Sequence, residues 1–130
     1  FMNKIIIEVS IGELLDKISI LEIKQEKIED PEKLKFIKNE HSILKSQLEN
    51  NVQTDEKLNN LFNSLKNINS KLWIIEDDKR QCEKEKDFGE KFIKLSRDVH
   101  FLNDDRAKIK LQINNHTGSA IQEIKKYTSY

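Results

Sequence analysis

One cysteine, one proline, three glycines and one tryptophan occur among 130 residues, and each shortage excludes something. A lone Cys82 permits neither an intrachain disulfide nor a thiolate metal site, and it suits a reducing cytoplasm. With so few glycines and prolines there is little to turn a chain sharply, which disfavours a strand-rich fold and favours long helices. Charge of one sign is also missing: 23 acidic residues balance 23 basic ones. No global field draws the protein to nucleic acid or to an anionic membrane. Long apolar runs are absent as well. None approaches the roughly 18 residues that span a bilayer, and Ile5-Ile6-Ile7 is too short for the core of a signal peptide. The expectation is therefore a cytoplasmic protein with no membrane or nucleic-acid partner. Phe1, ahead of Met2, reads as a processing remnant and is set aside.

What the chain has in abundance is apolar side chains spaced alternately three and four residues apart. Ile11, Leu14, Ile18, Leu21, Gln25 and Ile28 form the first such series, and Leu34, Ile37, His41, Leu44 and Leu48 the second. The third runs through Leu58, Leu61, Leu65, Ile68, Leu72, Ile75, Lys79 and Cys82. Phe88, Phe92, Leu95, Val99, Leu102, Arg106, Ile109 and Ile113 make the fourth. A period near 3.5 keeps an apolar stripe facing a neighbouring helix only when the two lie at a shallow angle, as in coiled coils and bundles. The spacing predicts an all-α fold of two antiparallel helical hairpins, since short connections force sequential helices to fold back. A polar chain of this kind could be disordered, but disorder has no reason to keep such periods.

Punctuation residues place the elements within a single helical domain over 2–130. Three Ile and a Val predict a short strand over 4–9. Ser10-Ile11-Gly12-Glu13 has the spacing of a capping box, which starts a helix over about 10–29. Asp30-Pro31 closes that helix and opens the next, over 31–50. Thr54 or Asp55 caps a third helix over 54–86, and Asp87-Phe88-Gly89 turns the chain into a fourth over 89–115. An irregular tail occupies 116–130. At about 1.5 Å per residue the third helix would be nearly 50 Å long against about 30 Å for the first. Together with further apolar residues off the seams (Ile20, Ile23, Phe36, Ile43, Trp73, Ile74, Ile93, Phe101) this mismatch points to a homodimer or another protein partner.

Each seam carries one polar residue: Gln25, His41, Lys79 and Arg106. Such residues fix register and partner choice at some cost in stability, so His41 and Lys79 are expected to be structural, along with Ser10, Glu13 and the packing anchor Trp73. A sharper reading gathers Arg97, Asn103, Arg106 and Lys110 into a small-anion site on the fourth helix, because a guanidinium fork grips carboxylate or phosphate at two points. Glu76 and Asp77 would then be the candidate acid or base of a bundle enzyme of lyase, mutase or transferase type. The same carboxylates with Asp104 and Asp105 could bridge a divalent cation, but the Glu-x-x-His spacing of di-iron bundles is missing. No metal or cofactor is expected. No glycine-rich phosphate loop, nucleophile elbow or His-Glu-x-x-His motif occurs.

Several stretches carry a resemblance. They are Val9-Ser10-Ile11-Gly12-Glu13-Leu14-Leu15-Asp16-Lys17-Ile18 with Leu21-Glu22-Ile23-Lys24, then Leu72-Trp73-Ile74-Ile75-Glu76-Asp77, then Asn103-Asp104-Asp105-Arg106-Ala107, and the Gly118-Ser119 tail. In these the chain resembles a family of uncharacterised bacterial and phage proteins, a domain of unknown function. The resemblance implies a setting near glycosyltransferase or surface-polysaccharide genes and no particular activity. Its matching positions include Ser10, Glu13, Asp16, Lys17, Glu22, Lys24, Trp73, Glu76, Asp77, Arg97, Asn103, Arg106, Gly118, Ser119 and Tyr127. Where the family's tail reads Glu-Glu-Lys-Ser-Tyr, this chain has Glu123-Ile124-Lys125-Lys126-Tyr127.

Overall fold

The computed structural model describes residues 3–130, so the reading of Phe1 falls outside the described residues. Four helices make up the fold: α1 (Ile11–Lys27), α2 (Pro31–Asn51), α3 (Glu56–Glu85) and α4 (Glu90–Thr117). The chain is all-α, as its periodicity predicts. Oxygen side chains start three of the helices by taking up free backbone N–H groups of the first turn. Ser10 accepts from Glu13 N–H at 3.0 Å, Asp30 from Glu32 N–H at 3.0 Å and Asp55 from Leu58 N–H at 2.8 Å. Lys86 (φ 57°) ends α3 and Gly118 (φ 67°) ends α4, both in the left-handed region. The fourth helix continues to Thr117, past the expected 115. Its last turn is held by the Thr117 hydroxyl, which donates to the Ile113 carbonyl at 2.7 Å.

The strand expected over 4–9 does not form. No strand is present among the described residues, and Ile5, Ile6 and Ile7 are 91%, 90% and 71% exposed. Strand propensity measures how well a side chain fits a pleated, half-buried surface. Four helices offer no edge on which such a surface could be built.

Seam positions turn away from solvent in every helix, and α1 buries further residues beside its seam. In all four series every residue except Phe88 is buried or half-buried. Leu15, Ile18, Leu48, Leu58, Leu65 and Ile113 form the central cluster, and each such side chain contributes about 2 kcal/mol when removed from water, before the entropy of ordering is subtracted. The first helix is the hub: α1 packs on α2, α3 and α4, whereas α2 packs on α1 alone. Lys79 near the end of α3 lies 5.8 Å from the ring of Phe92 near the start of α4. His116 at the other end of α4 meets Asp55, just before α3, at 2.8 Å. These two contacts set α3 and α4 side by side along their lengths.

Gly12 marks a close approach of α1 to α4. A Cβ there would come within 2.7 Å of the Lys110 carbonyl oxygen and 2.9 Å of Asn114 Oδ1. Only a residue without a side chain lets α1 reach the α4 backbone, and this contact brings the polar side chains of both helices into one cluster.

Candidate functional site

Along α1, one row of residues steps by four, three and four: Gly12, Asp16, Ser19, Ile23. All four are buried. Asp16 is 1% exposed, and an unpaired carboxylate at such a place would be costly. It is not unpaired. Arg106 of α4 grips it with both arms of its fork, Nε donating to Oδ1 at 3.0 Å and Nη2 to Oδ2 at 2.5 Å. Asn69 of α3 donates to Asp16 Oδ1 and to Ser19 Oγ, each at 2.8 Å, and the Ser19 hydroxyl donates to the Asp16 carbonyl at 2.7 Å. Three helices thus meet on one carboxylate. Burial pushes the Asp16 carboxyl up, but its hydrogen bonds from Arg106 and Asn69 and the charges of Arg106 and Lys110 outweigh this and hold it below its ordinary value.

One turn beyond Arg106, Lys110 sits 2.6 Å from Glu13, 3.2 Å from Glu123 of the tail and 3.6 Å from Asp16. Burial alone would lower its pKa; these acids raise it instead. The Glu13 carboxylate has therefore left the role that a capping box assigns it. The α1 N-terminus is finished from elsewhere: Asn114 Oδ1 accepts from Gly12 N–H at 2.7 Å and Ser119 Oγ from Ile11 N–H at 3.1 Å. Glu123 also pairs with Lys125, first among the causes that lower its carboxyl. Further on, the tail lies back on α4, where the Tyr130 hydroxyl donates to Asp104 and its ring rests 5.5 Å from those of His100 and Phe101.

The expected anion site is brought together only in part. Asn103, Arg106 and Lys110 share a hollow of about 240 Å³ with Glu13, Glu123 and Tyr127, and Asn103 Oδ1 accepts from Arg106 Nη1 at 3.3 Å. Arg97 lies elsewhere, its guanidinium 5.8 Å from the Phe101 ring in a depression with Glu90, Ile93 and Lys94. Nine residues separate it from Arg106, a rise of about 13 Å along the helix. Three cations (Arg106, Lys110, Lys125) pair with three carboxylates (Asp16, Glu13, Glu123), and all of these but the buried Asp16 line the hollow.

Glu76 and Asp77 do not line that hollow. With Ile20, Ile23, Leu72 and Trp73 they line a groove of about 320 Å³ between α1 and α3, which Asn69, Arg80 and Arg106 also border. Trp73 is half-buried there and Lys79 half-buried over Phe92. Glu22 accepts from the His41 ring at 3.1 Å with one carboxylate oxygen and from Lys66 at 3.3 Å with the other. Among the described residues no three His, Cys, Asp or Glu side chains are placed to hold a metal ion. Sequence reasoning passed over Ser19 and gave no site role to Asp16, Asn69 or Asn114. For Asp16 and Ser19 the signal was the Gly12-Asp16-Ser19-Ile23 row itself, small and polar residues at helical spacing beside an apolar seam.

Compared with known proteins, the chain matches DUF6165, described as a family of unknown function, over residues 5–130. No curated protein and no solved structure matches it.

Proposed function

The chain belongs to this family of unknown function, and from its geometry we propose that it is a self-associating helical module, a homodimer that holds a protein partner and performs no chemistry of its own. The carrying observation is surface. Its accessible area is 9690 Å² at 15.4 kDa, where a folded monomer of that mass would expose about 7,200 Å². The excess is several times the roughly 800 Å² that each partner contributes to a standard interface.

Apolar side chains lie where a second copy would cover them. Ile74 and Ile93 are 52% and 54% exposed, and each borders a depression that reaches Phe101 and Asp98 on the outer side of α3 and α4. Lys71 and Asp98 stand on the rim of one of these. A two-fold axis midway between them would set each subunit's Lys71 toward its neighbour's Asp98, which Lys94 of its own chain also meets at 2.7 Å. The antiparallel hairpins with coiled-coil-like seams are part of this reading. So is a cytoplasmic setting, where the buried thiol of Cys82 stays reduced. An accessory place beside polysaccharide-building enzymes is the setting the family resemblance implies.

The alternative of a small-anion site or bundle enzyme at Arg106 and Lys110 has less support. Both cations are already matched by carboxylates, so an anion would have to displace a partner from each. Sedimentation across a dilution series tests the dimer. The expected result is a dimer for the natural chain and a helical monomer for Ile74→Asp/Ile93→Asp; a compact monomer at every concentration of the natural chain overturns the reading.

A further inference from the structure

We propose that the groove between α1 and α3 binds an organic cation, a guanidinium or primary ammonium carried on a short alkyl stem. This does not rest on dimerisation. The groove holds about 320 Å³, at the lower end of the range of small-molecule sites. Ile20, Ile23, Leu72 and Trp73 give it an apolar wall suited to a hydrocarbon stem, and an indole is the best of the aromatic faces for a cation.

Its charges decide the sign of the occupant. Arg106 borders the groove, but its fork is spent on Asp16 and Asn103. Of the remaining charged groups, Glu76 and Asp77 form no ion pair among the described residues, and Arg80 forms none either. Two carboxylates against one guanidinium leave the groove negative. An entering cation gains there, and an anion is repelled.

A second, independent observation concerns Asn69. This residue is 5% exposed, and its amide nitrogen is committed to Asp16 and Ser19. Its amide oxygen receives no hydrogen bond from the described residues. Since no fully buried polar atom lacks a partner, that oxygen keeps contact with solvent, and the groove is the hollow Asn69 borders. A nearly buried acceptor residue and two exposed carboxylates on one lining are what an N–H-rich cation requires.

Trp73 is the only tryptophan, so intrinsic fluorescence reports on the groove directly. The full chain is titrated with agmatine, with acetyl-arginine amide, and with sodium phosphate as the control for sign, at constant ionic strength. The expected result is a saturable change with agmatine that Glu76→Gln/Asp77→Asn weakens by about tenfold or more. Both carboxylates are exposed and unpaired, so the double variant keeps its fold. Tighter binding of acetyl-arginine amide than of agmatine assigns the site to a basic side chain of a protein, and the reverse order to a free small molecule. Three results overturn the proposal: no saturable change with either cation, a stronger response to phosphate, or a cation response that the double variant leaves intact.

Discussion

The first two helices are written in the same spacing of threes and fours and are 17 and 21 residues long, yet seven residues of α1 are buried and one of α2, Leu48. The difference is one of company. α1 lies among three helices and needs a second set of inward residues beside its seam, which Gly12, Asp16, Ser19 and Ile23 supply. α2 has α1 alone, and its off-seam residues Phe36 and Ile43 stay 74% and 53% exposed. Periodicity tells which face of a helix is apolar; the number of neighbours tells how much of the helix must be made to fit.

That contrast can be broken most forcefully at the polar centre of α1. Arg106→Ala leaves Asp16 buried with its main partner gone and should cost about 3 kcal/mol in urea unfolding; a loss near zero would show that Asn69 and Lys110 suffice. The same centre has a pH signature. The Asp16 carboxyl is held below its ordinary value when folded, so its contribution is complete above the unfolded value of about 3.9 and is lost as pH falls through the lower, folded value. Asp16→Asn should therefore lose stability less steeply than the natural chain as an unfolding titration is carried below about pH 4.

A smaller effect is expected where α1 meets α4. Gly12→Ala forces a methyl against the Lys110 carbonyl and should cost about 2 kcal/mol by thermal melting, whereas Ser42→Ala on the exposed side of α2 should stay within about 0.5 kcal/mol. Equal costs would erase the distinction between the two helices. Smallest of all should be Ile43→Ala, within about 0.5 kcal/mol in the monomer. A cost above 1 kcal/mol at low protein concentration would mean that the Ile43 face of α2 is covered within its own chain.

How much of this could be read from the residues follows the same logic. The seams were legible because apolar spacing is a property of each helix by itself, and Ser10, Asp30 and Asp55 were legible as caps because capping is local. Asp16 was not legible. Its burial depends on Gly12 admitting α4 and on Arg106 arriving from ninety residues away, neither of which local propensity encodes. The segment around Ile5-Ile6-Ile7 failed for the opposite reason: its local preference was strong, but a strand exists only as one member of a pair. Lys79 was expected to be structural, and it lies over the Phe92 ring. Glu76 and Asp77 were read as companions of an anion site, although Arg106 alone borders both that hollow and their groove.

The opening amides of α1 are held by Asn114 and Ser119, more than a hundred positions later. A ribosome releases the start of α1 long before it has made either residue. The helix that organises the molecule therefore keeps a frayed first turn until residues 114 to 119 have been synthesised, and its start is finished late, by contacts of high sequence separation.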